Sequence, residues 1–274
     1  MKRLLILLFS FALVKIANAQ SISTQMGARG LGMGNATNGL TYEWGLFNNV
    51  GSIGLLTETT ASAAYHIQSR LAYANRMAFV FNTPLRFGVI SVGAFRFGDD
   101  IYNEHVVSTG FSNKFGNTSL GAKINYIQYQ AQGFGTRRAI SFDFGGITQL
   151  TDIISISASI TNLTQSQIDF ENEREALPTR LTAGLTFRLS DKLLAATELE
   201  KDLLFPASWR TGLEYEFKSK FFARTGFNLQ PTSGFFGLGA NRKLLQADYA
   251  IQFNALTGAS HQASVTYKFN RKKV

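Results

Sequence analysis

Between about Thr59 and Phe269 the chain alternates apolar and polar residues with a period of two, the mark of strands with two unlike faces. The last segment is the cleanest: Ala263, Val265, Tyr267 and Phe269 share one face, and Gln262, Ser264, Thr266 and Lys268 the other. Leu245, Ala247, Tyr249, Ile251 and Phe253 stand likewise against Gln246, Asp248 and Gln252, and Ile154, Ile156, Ala158 and Ile160 against Ser155, Ser157, Ser159 and Thr161. About fourteen such segments can be marked, near 59–67, 76–83, 86–97, 105–115, 117–129, 137–148, 152–162, 179–189, 192–201, 207–217, 220–229, 233–241, 244–253 and 260–269. Most run for about ten residues, the length of a tilted strand that crosses a membrane.

A secreted sandwich or a propeller is also built of short alternating strands. The connections favour a membrane barrel. After even-numbered segments they are tight, as at Leu189–Lys192, Phe217–Lys220 and Asn241–Lys243; after odd-numbered ones they are longer, at 68–75, 98–104 and 163–178. Short turns on one rim and long loops on the other are an outer-membrane pattern. Charge placement agrees, because a basic side chain on the lipid face at mid-bilayer costs about 2–4 kcal/mol. With the apolar face taken as outward, Arg96, Lys123, Asp143, Arg188, Glu198, Arg210, Glu214, Arg224, Asp248 and Lys268 all point inward. The expected fold is all-β: an antiparallel transmembrane β-barrel of about fourteen strands.

The stretch Gln25 to Leu56 breaks the alternation. It is rich in Gly and small residues and carries only Arg29 and Glu43 as charges. A barrel of this strand number is wider than the eight-stranded kind that side chains can fill, and narrower than an open porin. Residues 20–57 are the spare material long enough to occupy it, which makes them an N-terminal plug or hatch in the lumen. Glycine permits the tight bends and close backbone approach such a path needs, and Trp44, Phe47 and Ile53 are costly to leave exposed. Gly30 to Gly34 also looks like a nucleotide loop, but no strand precedes it, as that fingerprint requires.

The first residues point to export. Lys2 and Arg3 form a positive n-region, Leu4 to Val14 an apolar core, and Ala17-Asn18-Ala19 a cleavage site. The expected organisation is therefore a signal peptide at 1–19, the hatch at 20–57, the barrel at 58–270 and a basic tail at 271–274. Removal of Lys2, Arg3 and Lys15 lowers the formal net charge from +9 to +6. The remaining basic excess, partly in Arg271-Lys272-Lys273, suits anionic lipid headgroups better than nucleic acid. With no Cys, the chain has no disulfide framework or thiol nucleophile, and a lipid-modified cysteine is excluded. Its 16% of charged residues is low, while 25 Gly and 24 Phe suit a turn-rich, aromatic-decorated sheet.

Gly27-Ala28-Arg29, Gly32-Met33-Gly34 and Ala36, followed by Phe47-Asn48-Asn49-Val50-Gly51, resemble the N-terminal hatch of the FadL-like outer-membrane proteins, and more closely the PorV/PorQ-type relatives of Bacteroidetes. Members carry a Trp-Asn-Pro-Ala-Gly-Leu-like element where this chain has Asn49 and Val50, and an acidic pair here reduced to Glu43. The resemblance covers about thirty residues. It implies a fourteen-stranded barrel in the bacterial outer membrane, with Gly27, Arg29, Gly32, Gly34, Asn48 and Gly51 as hatch residues. Two roles follow from it: passage or binding of small hydrophobic molecules, or service as a subunit or shuttle of type IX secretion. The implied partners are outer-membrane lipid and either a hydrophobic small molecule or secretion-machinery subunits.

Catalytic chemistry finds little support. His66, His105 and His261 lie near the long-loop rim, and closure of the first strand on the last would let His66 approach His261. No third ligand stands at metal spacing, and alternation puts Ser260 and Ser264 on the face opposite His261. No catalytic residue, metal or cofactor is expected. Glu198, Glu200, Arg210, Glu214, Glu216 and Arg224 occupy three consecutive strands and should mix on the lumen wall. Either they pair to fix the plug, or they line a polar path that guides a solute; pairing is favoured because both signs alternate among neighbours.

Overall fold

The computed structural model describes residues 23–269 apart from 134, 171–172 and 219; the expected signal peptide (1–19) and basic tail (271–274) lie outside the described residues. In chain order the strands are β1 (Thr59–Gln68), β2 (Arg76–Leu85), β3 (Gly88–Gly98), β4 (Tyr102–Phe115), β5 (Thr118–Ala131), β6 (Gly135–Gln149), β7 (Ile154–Thr161), β8 (Gln167–Phe170), β9 (Glu173–Ala176), β10 (Arg180–Arg188), β11 (Leu193–Asp202), β12 (Ser208–Phe217), β13 (Phe221–Leu229), β14 (Thr232–Arg242), β15 (Leu245–Asn254) and β16 (Gly258–Phe269). All but β8 and β9 form one closed antiparallel barrel of fourteen strands, in which β1 pairs with both β2 and β16. Within the paired segments the register runs without a bulge, from Thr59↔Phe269 to Gln68↔Ser260 at the closing seam. The shortest seam is β6–β7, where only Phe144–Gln149 of a fifteen-residue strand finds partners on β7.

Polarity is reversed relative to a soluble sandwich. Leu199, Phe236 and Leu238 stand outward, each more than half exposed, whereas Ser62, Asn82, Ser112 and Thr266 are buried. Inward polar side chains bond sideways to their neighbours, as in Ser62–Thr266 (2.8 Å) and the run Ser108–Asn125–Ser141 (2.6 and 3.1 Å). A buried polar group without such a partner would cost about 1–3 kcal/mol, so the inner face favours short residues that donate and accept.

Each of the fourteen expected segments falls on a barrel strand, with ends shifted by a few residues. Three expectations need correction. The expected loop 98–104 shortens to 99–101, because Tyr102 already begins β4. The stretch 163–178, expected as a charged loop, carries the β8–β9 hairpin, whose Ile168 packs with Leu177 on inward Tyr129 and Ala139. Asn162 pins its base: the amide donates to Asp143 Oδ1 (2.9 Å), and Nδ2 donates to Leu177 O (3.0 Å). Arg96 points outward rather than inward, opposite Met77 and His105 in register. There the inward residues are Phe95 and Phe97, which meet apolar groups in the lumen, so the usual polarity of the two faces is exchanged.

Residues 23–57 sit inside the ring. They form the short helix α1 (Ala28–Gly32) and two 3-10 turns, Glu43–Phe47 and Val50–Leu55, which touch strands around the circumference. Contact is backbone to backbone at two points. A Cβ on Gly34, whose φ is +69°, would stand 2.8 Å from Thr211 O; one on Gly51 would stand 2.5 Å from Gly146 Cα. Gly51→Val is therefore expected to lower the unfolding free energy by about 1–3 kcal/mol, as overpacking does. Gly234→Ala, where a Cβ meets nothing within 4 Å, should leave the urea midpoint in detergent almost unchanged.

Candidate functional site

The site is the contact between the N-terminal segment and the inner wall. Its centre is apolar: Met26, Met33, Trp44 and Phe47 cluster with Val80, Phe95 and Val106 of the wall, and Trp44 and Ile53 are fully buried. The wall makes room with glycine, since Gly93 and Gly110 lie against Leu46, and Gly212 and Gly226 against Met33.

The six expected hatch residues all lie in this one body but do not converge on one point. Gly27 packs on the Trp44 ring, Gly32 on Gly237, Gly34 on β12 and β13, and Gly51 on Gly145–Gly146. Asn48 donates from Nδ2 to Met26 O (3.0 Å) and to the Tyr42 hydroxyl. Arg29 leaves that set to join the wall charges. Its Nε and Nη2 make a fork on Glu214 (2.8 and 2.6 Å). Glu214 Oε2 also accepts from Arg224 Nε at 2.6 Å, and Arg224 Nη1 reaches Asp248 at 2.8 Å. A second cluster joins Arg210 to Glu198 (3.0 Å) and Glu200 (2.6 Å), and Lys123 pairs with Asp143 across β5 and β6 at 2.7 Å. Glu198 thus pairs with Arg210, and Glu214 with Arg224.

Two residues that carry the docking were not among the expected hatch residues. The Asn38 backbone amide donates to Glu198 Oε2 (2.9 Å), and its side chain bridges Ser157 and Ser159. Asn49 Nδ2 donates to Asn38 O (2.7 Å) and to Gly146 O (3.2 Å), while its Oδ1 accepts from Gly51 N at 3.0 Å. The available signal was a set of short amides in a segment that must satisfy its own backbone. The Asn49 side chain thus fixes the local turn through its bond from Gly51 N and ties it to Gly146 of the wall.

Electrostatics tie the segment further. Burial works against the Arg29 charge, yet the Glu214 carboxylate beside it wins and holds the guanidinium above its ordinary pKa. Burial pushes Tyr42 up, with Glu43 adding to the effect. Burial likewise raises Glu43, whose Oε1 accepts from Thr266 at 3.1 Å. The histidines form no joint site. His66 faces inward, and His261 faces outward, bonded to Tyr249 at 2.6 Å; they sit beside each other in register but on opposite sides of the wall, which corrects the expected approach.

Several cavities border the segment. On the rim of short turns lies a polar recess of about 300 Å³ touching Glu43, Arg224 and Lys268, with a second of about 170 Å³ beside it that also touches Arg29. Toward the long-loop rim, a cavity of about 50 Å³ lies among Val106, Ile127, Tyr129 and Leu177. That is smaller than the roughly 150 Å³ apolar cavity known to hold benzene. On the outer wall, small residues at Gly146, Ala158 and Ala183 leave an apolar groove of about 630 Å³ flanked by Phe144, Ile160 and Leu181. The recesses named here that border the segment measure about 300, 170 and 50 Å³.

Two sets of variants test these contacts through Trp44 emission during urea unfolding. Glu214→Gln leaves the Arg29 guanidinium without its carboxylate and Arg224 with Asp248 alone, and is expected to cost about 3 kcal/mol, whereas Arg29→Gln, which removes the stranded charge itself, should cost less. Glu43 has the opposite sign. Because its folded pKa is raised, its stabilising contribution is complete below its ordinary value of 4.5 and fades as pH rises through the folded value. Glu43→Gln should therefore raise the midpoint at pH 7 and flatten the fall in stability between pH 4.5 and 7.

No protein-family model and no curated protein matches the sequence. Solved structures do match in fold. The Ralstonia pickettii toluene transporter TbuX is 12% identical with a TM-score of 0.68, covering 90% of this chain and 99% of that one. The Pseudomonas putida toluene transporter TodX is 13% identical with a TM-score of 0.67, over 92% and 100%. A Pseudomonas aeruginosa FadL homologue gives 12% and 0.63, over 93% and 100%. Nearly the whole of this chain and of each of these proteins superposes, so the chain has a FadL-like barrel fold.

Proposed function

We propose that this chain is an outer-membrane channel for small hydrophobic molecules and that residues 23–57 are its hatch. The observation that carries the reading is an outward apolar wall around a lumen filled by a segment of the same chain. An apolar belt this extensive needs lipid around it, and residues 1–19 serve as the export signal that takes the chain there. The similarity in fold to two toluene transporters and a FadL homologue supports hydrocarbons as the solute class. The structural neighbours are transport proteins, and the reading is that of a channel rather than an enzyme. The secretion role rests on the short motif resemblance alone, and no feature of the barrel favours it over transport.

Passage through the lumen requires the hatch to shift. Asn38 Cβ lies 3.5 Å from where a Cβ on Gly184 would stand, within disulfide range, and the chain has no Cys of its own. The double variant Asn38→Cys/Gly184→Cys should carry toluene into reconstituted vesicles at the native rate when reduced, and lose most of that flux when oxidised. Equal flux in vesicles with and without the native protein would sink the transport reading. Undiminished flux through the oxidised variant would sink the moving hatch alone.

A further inference from the structure

The inward charges fall into two layers that behave differently. In the middle of the lumen, Lys123, Arg210, Arg224 and Arg29 each meet a carboxylate. At the short-turn rim, Lys114 and Arg188 also lie on inward positions, yet neither forms an ion pair among the described residues. Both line the recess of about 170 Å³ between the N-terminal segment and strands β4 to β11. Its single carboxylate is Asp152; Arg29, which also borders it, is committed to Glu214. One positive charge is therefore left in excess in a confined space next to low-dielectric walls, which strengthens its pull on an anion.

A second, independent feature points the same way. Thr186 lines this recess, is 7% exposed, and its Oγ1 has no hydrogen-bond partner. A buried unsatisfied hydroxyl calls for an explanation, and a bound acceptor supplies one. The rest of the lining narrows the ligand. Leu40, Leu55, Ile147 and Leu194 give the recess an apolar side opposite its polar groups. A fully hydrated inorganic anion gains nothing there, whereas a compact organic body does.

We propose that this recess is a binding site for a small organic carboxylate of about benzoate size, with Arg188 and Lys114 meeting the carboxylate, Thr186 donating to it, and the leucine side holding the body. The site stands on contacts and charges alone and does not depend on the transport reading.

Calorimetric titration of the folded protein in uncharged detergent tests it with benzoate, benzyl alcohol and inorganic phosphate. A hydrogen bond to a charged partner is worth enough that benzoate should bind at least about tenfold more tightly than benzyl alcohol. Arg188→Gln and Lys114→Gln should each weaken benzoate binding by about that factor, and Thr186→Val by a smaller one. Lys268→Gln, in the neighbouring recess, should leave it unchanged, and equimolar phosphate should not displace benzoate. Equal binding of the alcohol, indifference to both cation variants, or displacement by phosphate overturns the proposal. Thermal unfolding of each variant identifies any that fails to fold, and two exposed cation positions keep the test decisive if one is lost. Flux plays no part in the measurement, so a protein that binds benzoate but passes no toluene upholds this site and removes only the channel.

Discussion

Closure of the sheet is the constraint from which the rest follows. With β1 hydrogen-bonded to β16 as well as to β2, the ring has no free strand edge. A wall without edges can stand in an apolar solvent, because its backbone groups are satisfied within the sheet. Once the outward face is apolar, the lumen is the place where polar side chains and charges can be accommodated. Every inward residue then needs a partner, and fourteen strands enclose more space than those side chains fill.

The N-terminal segment meets both needs. It brings an apolar core of its own, built on Trp44 and Phe47, into a lumen whose wall is largely Ser, Thr, Asn and Gly. Where that core touches β3, the wall turns apolar to match, with Phe95 and Phe97 inward and Arg96 displaced to the outer face. Where backbone meets backbone at least one side is glycine, and at Gly51 on Gly145–Gly146 and Gly34 on Gly226 both sides are. Arg29 then couples the segment to the charges of three wall strands through Glu214, Arg224 and Asp248. Pairs of this kind do little for net stability relative to apolar packing, but they penalise misplacement strongly, because a displaced partner leaves a buried charge behind. They therefore suit a segment held in one register more than a general glue.

That logic also separates the two charge layers. The buried middle favours charge in pairs, and there Lys123, Arg210, Arg224 and Arg29 each have a carboxylate partner. The short-turn rim lies close to water, so Lys114 and Arg188 can stand without carboxylates, and the buried Thr186 hydroxyl beside them is left with a bond to give. The same inward face thus serves structure at one depth and recognition at another.

Period-two alternation was enough, by itself, to place all fourteen barrel strands, because each side chain reports directly whether it faces outward or into the lumen. The break in that pattern set residues 20–57 apart from the strands, and the alternation put Glu198, Arg210, Glu214 and Arg224 on the inward face, where all four are buried. Three things were decided only in the tertiary structure. The β8–β9 hairpin was hidden by its charged residues, since Ile168 and Leu177 count as a core only once Tyr129 lies beneath them. Arg96 went outward because its neighbours meet an apolar segment brought from far along the chain. The docking roles of Asn38 and Asn49 depend on carbonyls and hydroxyls of β6, β7 and β10. A local pattern records the two sides of a wall; what a side chain meets across the lumen depends on residues remote in sequence, 97 positions away for Asn49 on Gly146 and 119 for Asn38 on Ser157.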